Sequence, residues 1–267
     1  FIGTDDAKVV YDFDLMKGGG HITGYQLSAK ALETVVEGLE KIVSPAEFES
    51  KYEAPAGMVP MLFGVGDGNH SLASAKTLWE ELKKSTPPPP ADHPARFALV
   101  EIENIHDEAN EFEPIHRLMF GVPSVDSLLK SLVSFFNEAG EDAAIVSDAE
   151  FKALPANPKR HVIQYQADSN GVLIVNKPSR VLDVASLQAG LDKYMEANPT
   201  VKIDFIHGTE AIEKHRSTSN VGFTVPAMNK NDLFKTVVFD GVLPRKTFSM
   251  GEAHEKRYYL ECRKIIV

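Results

Sequence analysis

The 267-residue sequence contains a single cysteine, Cys262, which excludes an internal disulfide and a metal site built from several cysteines. It has no apolar run as long as a membrane-spanning helix requires. Lysine and arginine number 28 against 38 aspartate and glutamate residues, so the formal net charge is −10. A nucleic-acid-binding surface normally needs a basic face, whereas a local basic pocket for a small anion is compatible with this balance. We therefore expect a cytoplasmic protein with neither nucleic acid nor a membrane as its partner.

The composition that is present, 43% hydrophobic and 25% charged, is typical of a globular chain with a sizeable core. Hydrophobic periodicity and turn residues predict a set of helices and strands. Helices are predicted at 29–42, 72–82, 125–138, 184–195 and 233–238, and strands at 9–15, 58–63, 96–102, 161–166, 171–175, 201–206, 221–225 and 258–266.

Because these strands and helices alternate without a strict βαβ repeat, we predict an α+β fold. The expected architecture is a mixed sheet with helices packed around it, forming one compact unit with two lobes. We treat residues 1–267 as a single domain and place a lobe boundary near 85–95, around the proline run at 87–90. The chain begins at Phe1 without a methionine, so we expect it to lack a native N-terminal segment.

The glycine cluster, defined as Gly64–Ser71, is the first candidate site. A predicted strand precedes it and a helical pattern follows, which would bring several backbone N–H groups to one point as an anion site. Asp67 or His70 would then act as a proton acceptor. The spacing matches neither a P-loop nor a dinucleotide fingerprint. The alternative is a tight turn with Asn69 or Ser71 as the N-cap of the helix.

A second candidate lies at residues 111–117. Pro114 suits the first turn of a helix, which would place His116 and Arg117 near its positive end. There the histidine would protonate less readily, and the arginine would favour an oxyanion or phosphate. The alternative is the start of a surface helix that carries a Glu/Arg ion pair.

Two further candidates lie towards the end of the chain. His207 follows a predicted strand and would present its imidazole at a sheet edge, unless it is a hydrogen-bonded core histidine. The C-terminal block, residues 243–258, concentrates positive charge in an acidic protein. It would supply a pocket for a phosphorylated or carboxylated small molecule. The alternative is a basic loop paired with surface carboxylates. The block's candidate binding residues are Arg245, Lys246, Ser249, Lys256 and Arg257.

At these positions the chain resembles an uncharacterised bacterial and archaeal family, domain of unknown function 1015. The resemblance is carried by segments that span nearly the whole chain. No established activity comes with this resemblance, and the usual N-terminal segment of the family is expected to be absent. The segments are 14–24, 66–73, 112–117, 205–208 and 243–258.

A more distant similarity bears on mechanism. Many members of the family carry Asp-Gly-His-His-Arg where this chain has Asp67-Gly68-Asn69-His70-Ser71. That form is similar to the motif of ParB/sulfiredoxin-like proteins, including free serine kinases, which bind nucleotides through such a loop. This chain departs from it at Asn69 and at Ser71, where the arginine is lost. Arg117 or the C-terminal block would have to supply the missing charge.

We therefore predict a phosphoryl-transfer enzyme, a kinase or phosphatase, acting on a small polar metabolite such as serine or phosphoserine. The alternative is a non-catalytic sensor that binds a nucleotide or anionic metabolite. Mg²⁺ with ATP or ADP would serve as cofactor, while the sequence specifies neither a metal ligand set nor an oligomeric state. We also predict that the glycine cluster and the C-terminal block meet in space. The predicted catalytic residues are Asp67, His70 and His116, and the predicted phosphate-binding residues are Gly66, Gly68, Asn69, Ser71, Arg117, His207, Arg245, Lys246, Ser249, Lys256 and Arg257.

Overall fold

A computed structural model describes residues 6–251 and 257–265. Its contacts divide the chain into two compact units, which we describe separately. The first unit comprises Phe1–Asn104 with Gly251–Val267, and the second comprises Ile105–Met250. The division thus falls between residues 104 and 105, later in the chain than the 85–95 segment where the sequence placed a boundary.

The first unit combines an antiparallel hairpin with three helices. Strands β1 (Ala7–Asp14) and β2 (His21–Leu27) pair with each other, and Asp14 lies opposite His21. The helices are α1 (Ala29–Ile42), α2 (Pro45–Tyr52) and α3 (Asn69–Leu82), with short 3-10 turns at Met16–Gly18 and Pro94–Arg96. Serine side chains cap α1 and α2, because Ser28 Oγ accepts from the third residue of the helix and Ser44 Oγ does the same.

Three strands predicted for the first unit are not formed. Residues 58–63 and 96–102 contain no strand, and neither do residues 258–265, the described part of the third. The apolar side chains Val59, Phe63 and Val100 are 84%, 54% and 60% exposed. A high β propensity favours an extended backbone, but a strand also requires a partner and a buried face. These segments have a high β propensity, but they are not paired with another strand in the described structure.

The second unit contains the larger sheet and five helices within the described residues. Its bounds follow the predicted pattern closely from residue 125 onwards. Its elements are β3 (Glu113–Phe120), α4 (Val125–Glu138), β4 (Ala143–Val146), α5 (Asp148–Ala153), β5 (His161–Gln166), β6 (Asn170–Val175), α6 (Asp183–Ala197), β7 (Lys202–His207), α7 (Glu210–His215), β8 (Val221–Thr224), α8 (Asp232–Asp240) and β9 (Phe248–Ser249).

The seven strands form one antiparallel sheet in the order β4-β6-β5-β8-β3-β7, with β9 added to the start of β3. Strand β3 is the organising strand, because it pairs with β7, β8 and β9. Helices packed against this sheet confirm the predicted α+β fold, and every described strand pairing is antiparallel where a mixed sheet was expected.

Helices α4 and α6 cover one face of this sheet and form its core. Leu128 and Phe136 of α4 and Leu187 of α6 are completely buried. The two helices cross closely at Gly190, where a Cβ atom would lie 2.8 Å from Leu132 Cδ2. Helix α7 packs on the opposite face through Ile212. Among the residues that the structure describes, no helix is long and apolar enough to cross a membrane.

Candidate functional site

His116 and Arg117 lie in the middle of strand β3, so the helix predicted to start at Pro114 is wrong. Residues 115–120 pair with β7 along their whole length, and Pro114 lies opposite Phe248 of β9. A proline is tolerated near the beginning of a strand as well as in the first turn of a helix. The pairing partners, which are distant in sequence, decide between these two structures.

Arg117 is completely buried, and its guanidinium is held by three acceptors. Nε donates to Gln188 Oε1 at 3.1 Å, Nη1 donates to the main-chain oxygen of Ile115, and Nη2 donates to the main-chain oxygen of Arg245 at 3.2 Å. Burial lowers the pKa of Arg117 to about 10; the charge of Asp192 opposes this effect and that of Arg245 adds to it. The guanidinium therefore remains protonated at neutral pH.

The ring of Phe205 brings two arginines together. Phe205 lies opposite Arg117 in the sheet register, so both side chains project from the same face. The guanidinium carbons of Arg117 and Arg245 lie 5.1 Å and 5.2 Å from the ring centre, within the range of cation–π contacts. Among the described residues, neither guanidinium forms an ion pair with a carboxylate. Two guanidinium groups, one buried and one exposed, thus share one aromatic ring without such a partner.

His207 and Glu113 form a hydrogen-bonded pair on the same face of the sheet. His207 Nε2 contacts Glu113 Oε2, and the two side chains are 44% and 47% exposed. His207 follows Phe205 by two residues, which places it roughly 7 Å further along β7 on the same side. An accessible imidazole oriented by a carboxylate is the usual arrangement of a general base.

Ser249 completes this end of the sheet. It lies opposite Glu113 in the pairing of β9 with β3. Its Oγ atom is buried and has no hydrogen-bond partner among the described residues. Buried polar atoms are nearly always hydrogen-bonded, so an unsatisfied hydroxyl beside an exposed acid–base pair fits a place where a ligand binds.

His116 occupies a different environment from its neighbour. Successive residues of a strand point to opposite faces, so His116 projects away from the face that carries Arg117. It is buried, and its Nδ1 accepts a hydrogen bond from the main-chain N–H of Val225 at 3.4 Å. Burial lowers the pKa of His116, and the charges of Arg117 and His207 lower it further. The lowered pKa therefore arises from burial in a sheet, and the helix end invoked from the sequence is absent.

A cavity of about 360 Å³ opens beside these residues in the second unit. Arg245 and Gln188, which contact Arg117, are part of its lining. Lys246 follows Arg245, is exposed and has a left-handed backbone with φ of 56°. The cavity walls come from α6, α8 and the segment after α8. The full lining is Arg180, Ala185, Gln188, Ala189, Asp192, Thr236, Asp240, Val242, Leu243, Pro244 and Arg245.

The glycine cluster lies in the first unit, at the start of α3. Its left-handed residue Gly68, with φ of 78°, is the N-cap of α3, and no side chain caps the helix. The alternative in which Asn69 or Ser71 is the N-cap is therefore wrong. Asp67 Oδ1 accepts a hydrogen bond from Gly68 N at 2.7 Å, which turns the carboxylate towards its own loop. The predicted residues of this cluster, Gly66 to Ser71, are all exposed.

A second glycine segment of the first unit approaches a predicted binding residue. A Cβ atom on Gly19 would lie 2.7 Å from Arg257 Nη2, so the glycine allows the guanidinium to lie against the backbone. Gly24 is likewise covered by the ring of Tyr11. Close approach thus explains Gly19 and Gly24, whereas Gly18 and Gly20 have positive φ values of 69° and 93°. Lys256, another predicted binding residue, lies outside the described residues.

The structure thus brings together four of the predicted residues within the second unit: Arg117, His207, Arg245 and Ser249. Asp67, His70 and Arg257 belong to the first unit, so the expectation that the glycine cluster and the C-terminal block share one site stays a prediction. These four residues have partners that were not among the predicted site residues. The partners are Glu113, Phe205, Gln188 and Asp192. Gln188 and Asp192 carried one usable signal, a four-residue spacing of polar side chains on a helix.

No three histidine, cysteine or carboxylate side chains within 6–251 and 257–265 form a group that could hold a metal ion.

Comparison with known proteins gives the family. The model of the family described as "Protein of unknown function (DUF1015)" matches residues 3–194 of the 267. The chain belongs to this DUF1015 family. The match includes β3 and most of α6, and hence Arg117, Gln188 and Asp192, while His207 and Arg245 lie beyond it.

One relative among known proteins is the human PX domain-containing protein 1. It is 28% identical over 148 residues, which make up 53% of this chain and 63% of that protein. The DUF1015 chain therefore spans less than two thirds of the length of this relative. No solved structure matches the chain. Neither the family description nor the name of the relative mentions a kinase or a phosphatase.

Proposed function

We propose that this DUF1015 protein binds a small anionic metabolite in its second unit and transfers a phosphoryl group to or from it. The observation that carries the proposal is the pair of guanidinium groups beside Phe205, which form no ion pair with a carboxylate of the described residues. A phosphate or carboxylate bound there would neutralise two adjacent positive charges. Charge-assisted, bidentate hydrogen bonds make arginine well suited to such anions.

In this proposal, the site residues of the second unit have separate roles. Arg245 is exposed and contacts the anion directly, whereas buried Arg117 holds the main chain of Arg245 in place. His207 accepts the proton of the attacking hydroxyl or water, and Glu113 orients its imidazole. ATP or ADP with Mg²⁺ would supply or accept the phosphoryl group, and the metal would neutralise charge on the transferring phosphate.

The glycine cluster would contribute a second phosphate-binding element through the backbone N–H groups at the start of α3. Its contribution is a separate prediction, because Asp67 and His70 belong to the first unit. We also place this function in the cytoplasm, with neither nucleic acid nor a membrane as partner. The formal net charge of −10 disfavours nucleic acid and an anionic membrane surface as partners.

The second candidate function is a sensor that binds the same metabolite or a nucleotide without turnover. It is favoured by the contact of His207 with Glu113, which joins strands β7 and β3 and so gives the imidazole a structural role without catalysis. A sensor would use Arg245 and the cavity in the same way but would not need His207 as a base.

Binding and turnover can be measured on the same samples. Calorimetric titration with phosphoserine, ADP and ATP should detect binding, and ³¹P NMR with Mg²⁺ and nucleotide should detect transfer. Arg245→Gln should weaken binding of the phosphorylated ligand about 10- to 100-fold, the scale of a charge-assisted hydrogen bond. Arg216→Gln is the matched control, because Arg216 is exposed and follows α7 on the other face of the sheet. Equal losses in both variants, or no binding by the unmodified chain, would overturn the proposal.

A further inference from the structure

The cavity beside Arg245 carries charges of both signs. Its lining includes two arginines, Arg180 and Arg245, and two aspartates, Asp192 and Asp240. A cavity meant for a simple anion would not place two carboxylates in its wall, because they would repel that anion. The mixed lining therefore contains information about the ligand beyond the presence of an anionic group.

The two aspartates of the cavity accept hydrogen bonds from neutral donors among the described residues. Asp192 Oδ1 accepts from Gln188 Nε2 at 2.8 Å, and Asp240 Oδ2 accepts from the main-chain N–H of Val181 at 2.7 Å. Within the described part of the chain, neither carboxylate forms an ion pair with a lysine, arginine or histidine. Both side chains are exposed; the charge of Asp192 raises the pKa of buried Arg117, but neither carboxylate is paired with a cation of the cavity lining.

The positive charge of Arg245 is not neutralised by these aspartates either. Arg245 forms no ion pair with a carboxylate among the described residues, and its side chain lies over Phe205. Arg180 lies 3.9 Å from Glu141 Oε1, a buried carboxylate that is not part of the cavity lining. Opposite charges thus line one cavity without pairing across it, although they would gain free energy by doing so.

The position of Asp192 is fixed from the core. Gln188 is buried, accepts from Arg117 Nε through its oxygen and donates to Asp192 through its nitrogen. This chain of hydrogen bonds also orients the side-chain amide of Gln188 in a single way, because its oxygen faces a guanidinium donor and its nitrogen a carboxylate acceptor. The same buried arginine holds the main chain of Arg245. One network therefore sets the positions of a negative and a positive group of the cavity.

We infer that the ligand of this cavity is a zwitterion, a small amine that also carries a phosphate or carboxylate. Its ammonium group binds Asp192 and Asp240, and its anionic group binds Arg245. This inference rests on the proposed role of Arg245 in binding an anion, and it adds the amine as a requirement. The volume of about 360 Å³ is near the lower end of ligand pockets, which suits a ligand of amino-acid size.

Two ligands that differ only at the amine test the inference. O-phosphoserine and 3-phosphoglycerate have the same carboxylate and phosphate, but the first has an ammonium group where the second has a hydroxyl. Calorimetric titration of the full chain should give a dissociation constant about 10- to 100-fold lower for O-phosphoserine. Serine and glycerate should show the same preference at weaker affinity if the carboxylate is the group bound by Arg245, and no binding if it is the phosphate.

Substitution of the aspartates locates the amine site. Asp192→Asn keeps an acceptor for Gln188 but removes the charge, so it should abolish the preference for O-phosphoserine and leave the affinity for 3-phosphoglycerate unchanged or higher. Asp240→Asn should reduce the same preference. Asp168→Asn, in the exposed turn between β5 and β6, is the matched control and should retain the full preference.

The outcomes separate this inference from the proposed function. Equal binding of O-phosphoserine and 3-phosphoglycerate, weakened by Arg245→Gln, would overturn the amine requirement and leave anion binding standing. A preference that survives Asp192→Asn and Asp240→Asn together would also overturn it. Binding of neither compound would overturn both.

Discussion

Arg117 donates a hydrogen bond from its buried guanidinium to the main-chain oxygen of Arg245, a residue 128 positions later in the chain. This contact ties the segment after α8 to strand β3 of the sheet. It also positions Arg245 so that its guanidinium lies over Phe205, as that of Arg117 does. The two guanidinium groups need not touch each other for this. The buried residue therefore acts on the candidate site through the backbone, and the exposed residue through its side chain.

Replacing Arg117 tests this role. Arg117→Met should lower the free energy of unfolding by about 2–4 kcal/mol, because the buried oxygens of Gln188 and Ile115 lose their donor. Urea denaturation followed by circular dichroism measures the change. Arg216→Met, at an exposed position, should change stability by less than about 0.5 kcal/mol. Similar stabilities for the two variants would show that Arg117 is not a structural tie.

The helices and strands of this chain were predicted correctly where local sequence features determine them. Helices α1 and α4 have the predicted bounds, 29–42 and 125–138, because a serine cap and an amphipathic stripe are both local features. The β5–β6 hairpin was also predicted, since alternation and a polar turn specify it. The strands predicted at 58–63 and 96–102 were wrong, because the pairing of a strand depends on residues far away in the sequence.

The candidate site was predictable in its residue types but not in its contacts. Arg117 was selected from a predicted helix start, His207 from the end of a predicted strand, and Arg245 from a local concentration of positive charge. The bond between His207 and Glu113 joins residues 94 positions apart, and no local pattern links them. The same holds for Arg117 with Gln188, at a separation of 71.

Gly222 is a close contact between β8 and α7, and its replacement should be costly. A Cβ atom on Gly222 would lie 2.1 Å from Ile212 Cγ2, and Ile212 is completely buried. Gly222→Ala should lower the free energy of unfolding by about 1–3 kcal/mol through overpacking. Thermal or urea denaturation measures the loss.

A double-mutant cycle identifies the cause of that loss. Ile212→Ala alone should be destabilising because it leaves a cavity, but it should reduce the cost of adding Gly222→Ala. An unchanged cost in the Ile212→Ala background would show that the contact with Ile212 is not responsible.

His21 should make the β1–β2 hairpin sensitive to pH. Its Nδ1 lies 2.7 Å from Asp14 Oδ1 and its Nε2 lies 2.5 Å from Asp12 Oδ1, contacts that favour the protonated imidazole. These hydrogen bonds, first that with Asp14 and then that with Asp12, raise the pKa of His21 above its usual value of about 6.5. The stabilisation is therefore complete below about pH 6.5 and is lost as the pH rises through the higher folded-state value.

Amide hydrogen exchange of β1 and β2, corrected for its intrinsic pH dependence, measures this effect. Protection should fall as the pH rises above about 6.5 in the unmodified chain, and His21→Gln should remove that dependence. Protection of α1, which carries no such pair, is the internal reference. A fall in protection that persists unchanged in His21→Gln would assign the effect to another group.

Variants of His207 and His70 distinguish two locations for the proton acceptor. If the Glu113–His207 pair is the base, His207→Gln should lower turnover about 10²- to 10⁴-fold while ligand affinity changes little. Glu113→Gln should have a smaller effect of the same kind, because the imidazole loses its orienting carboxylate. His70→Ala should then leave turnover nearly unchanged.

The reverse pattern, with a large loss of turnover in His70→Ala alone, would assign the base to the glycine cluster and confine His207 to a structural or binding role. Loss of turnover in neither variant, with ligand binding intact, would favour the sensor over the enzyme. His70 and His207 are exposed and Glu113 is about half exposed, so equal melting temperatures of the three variants and the parent chain serve as the control for folding.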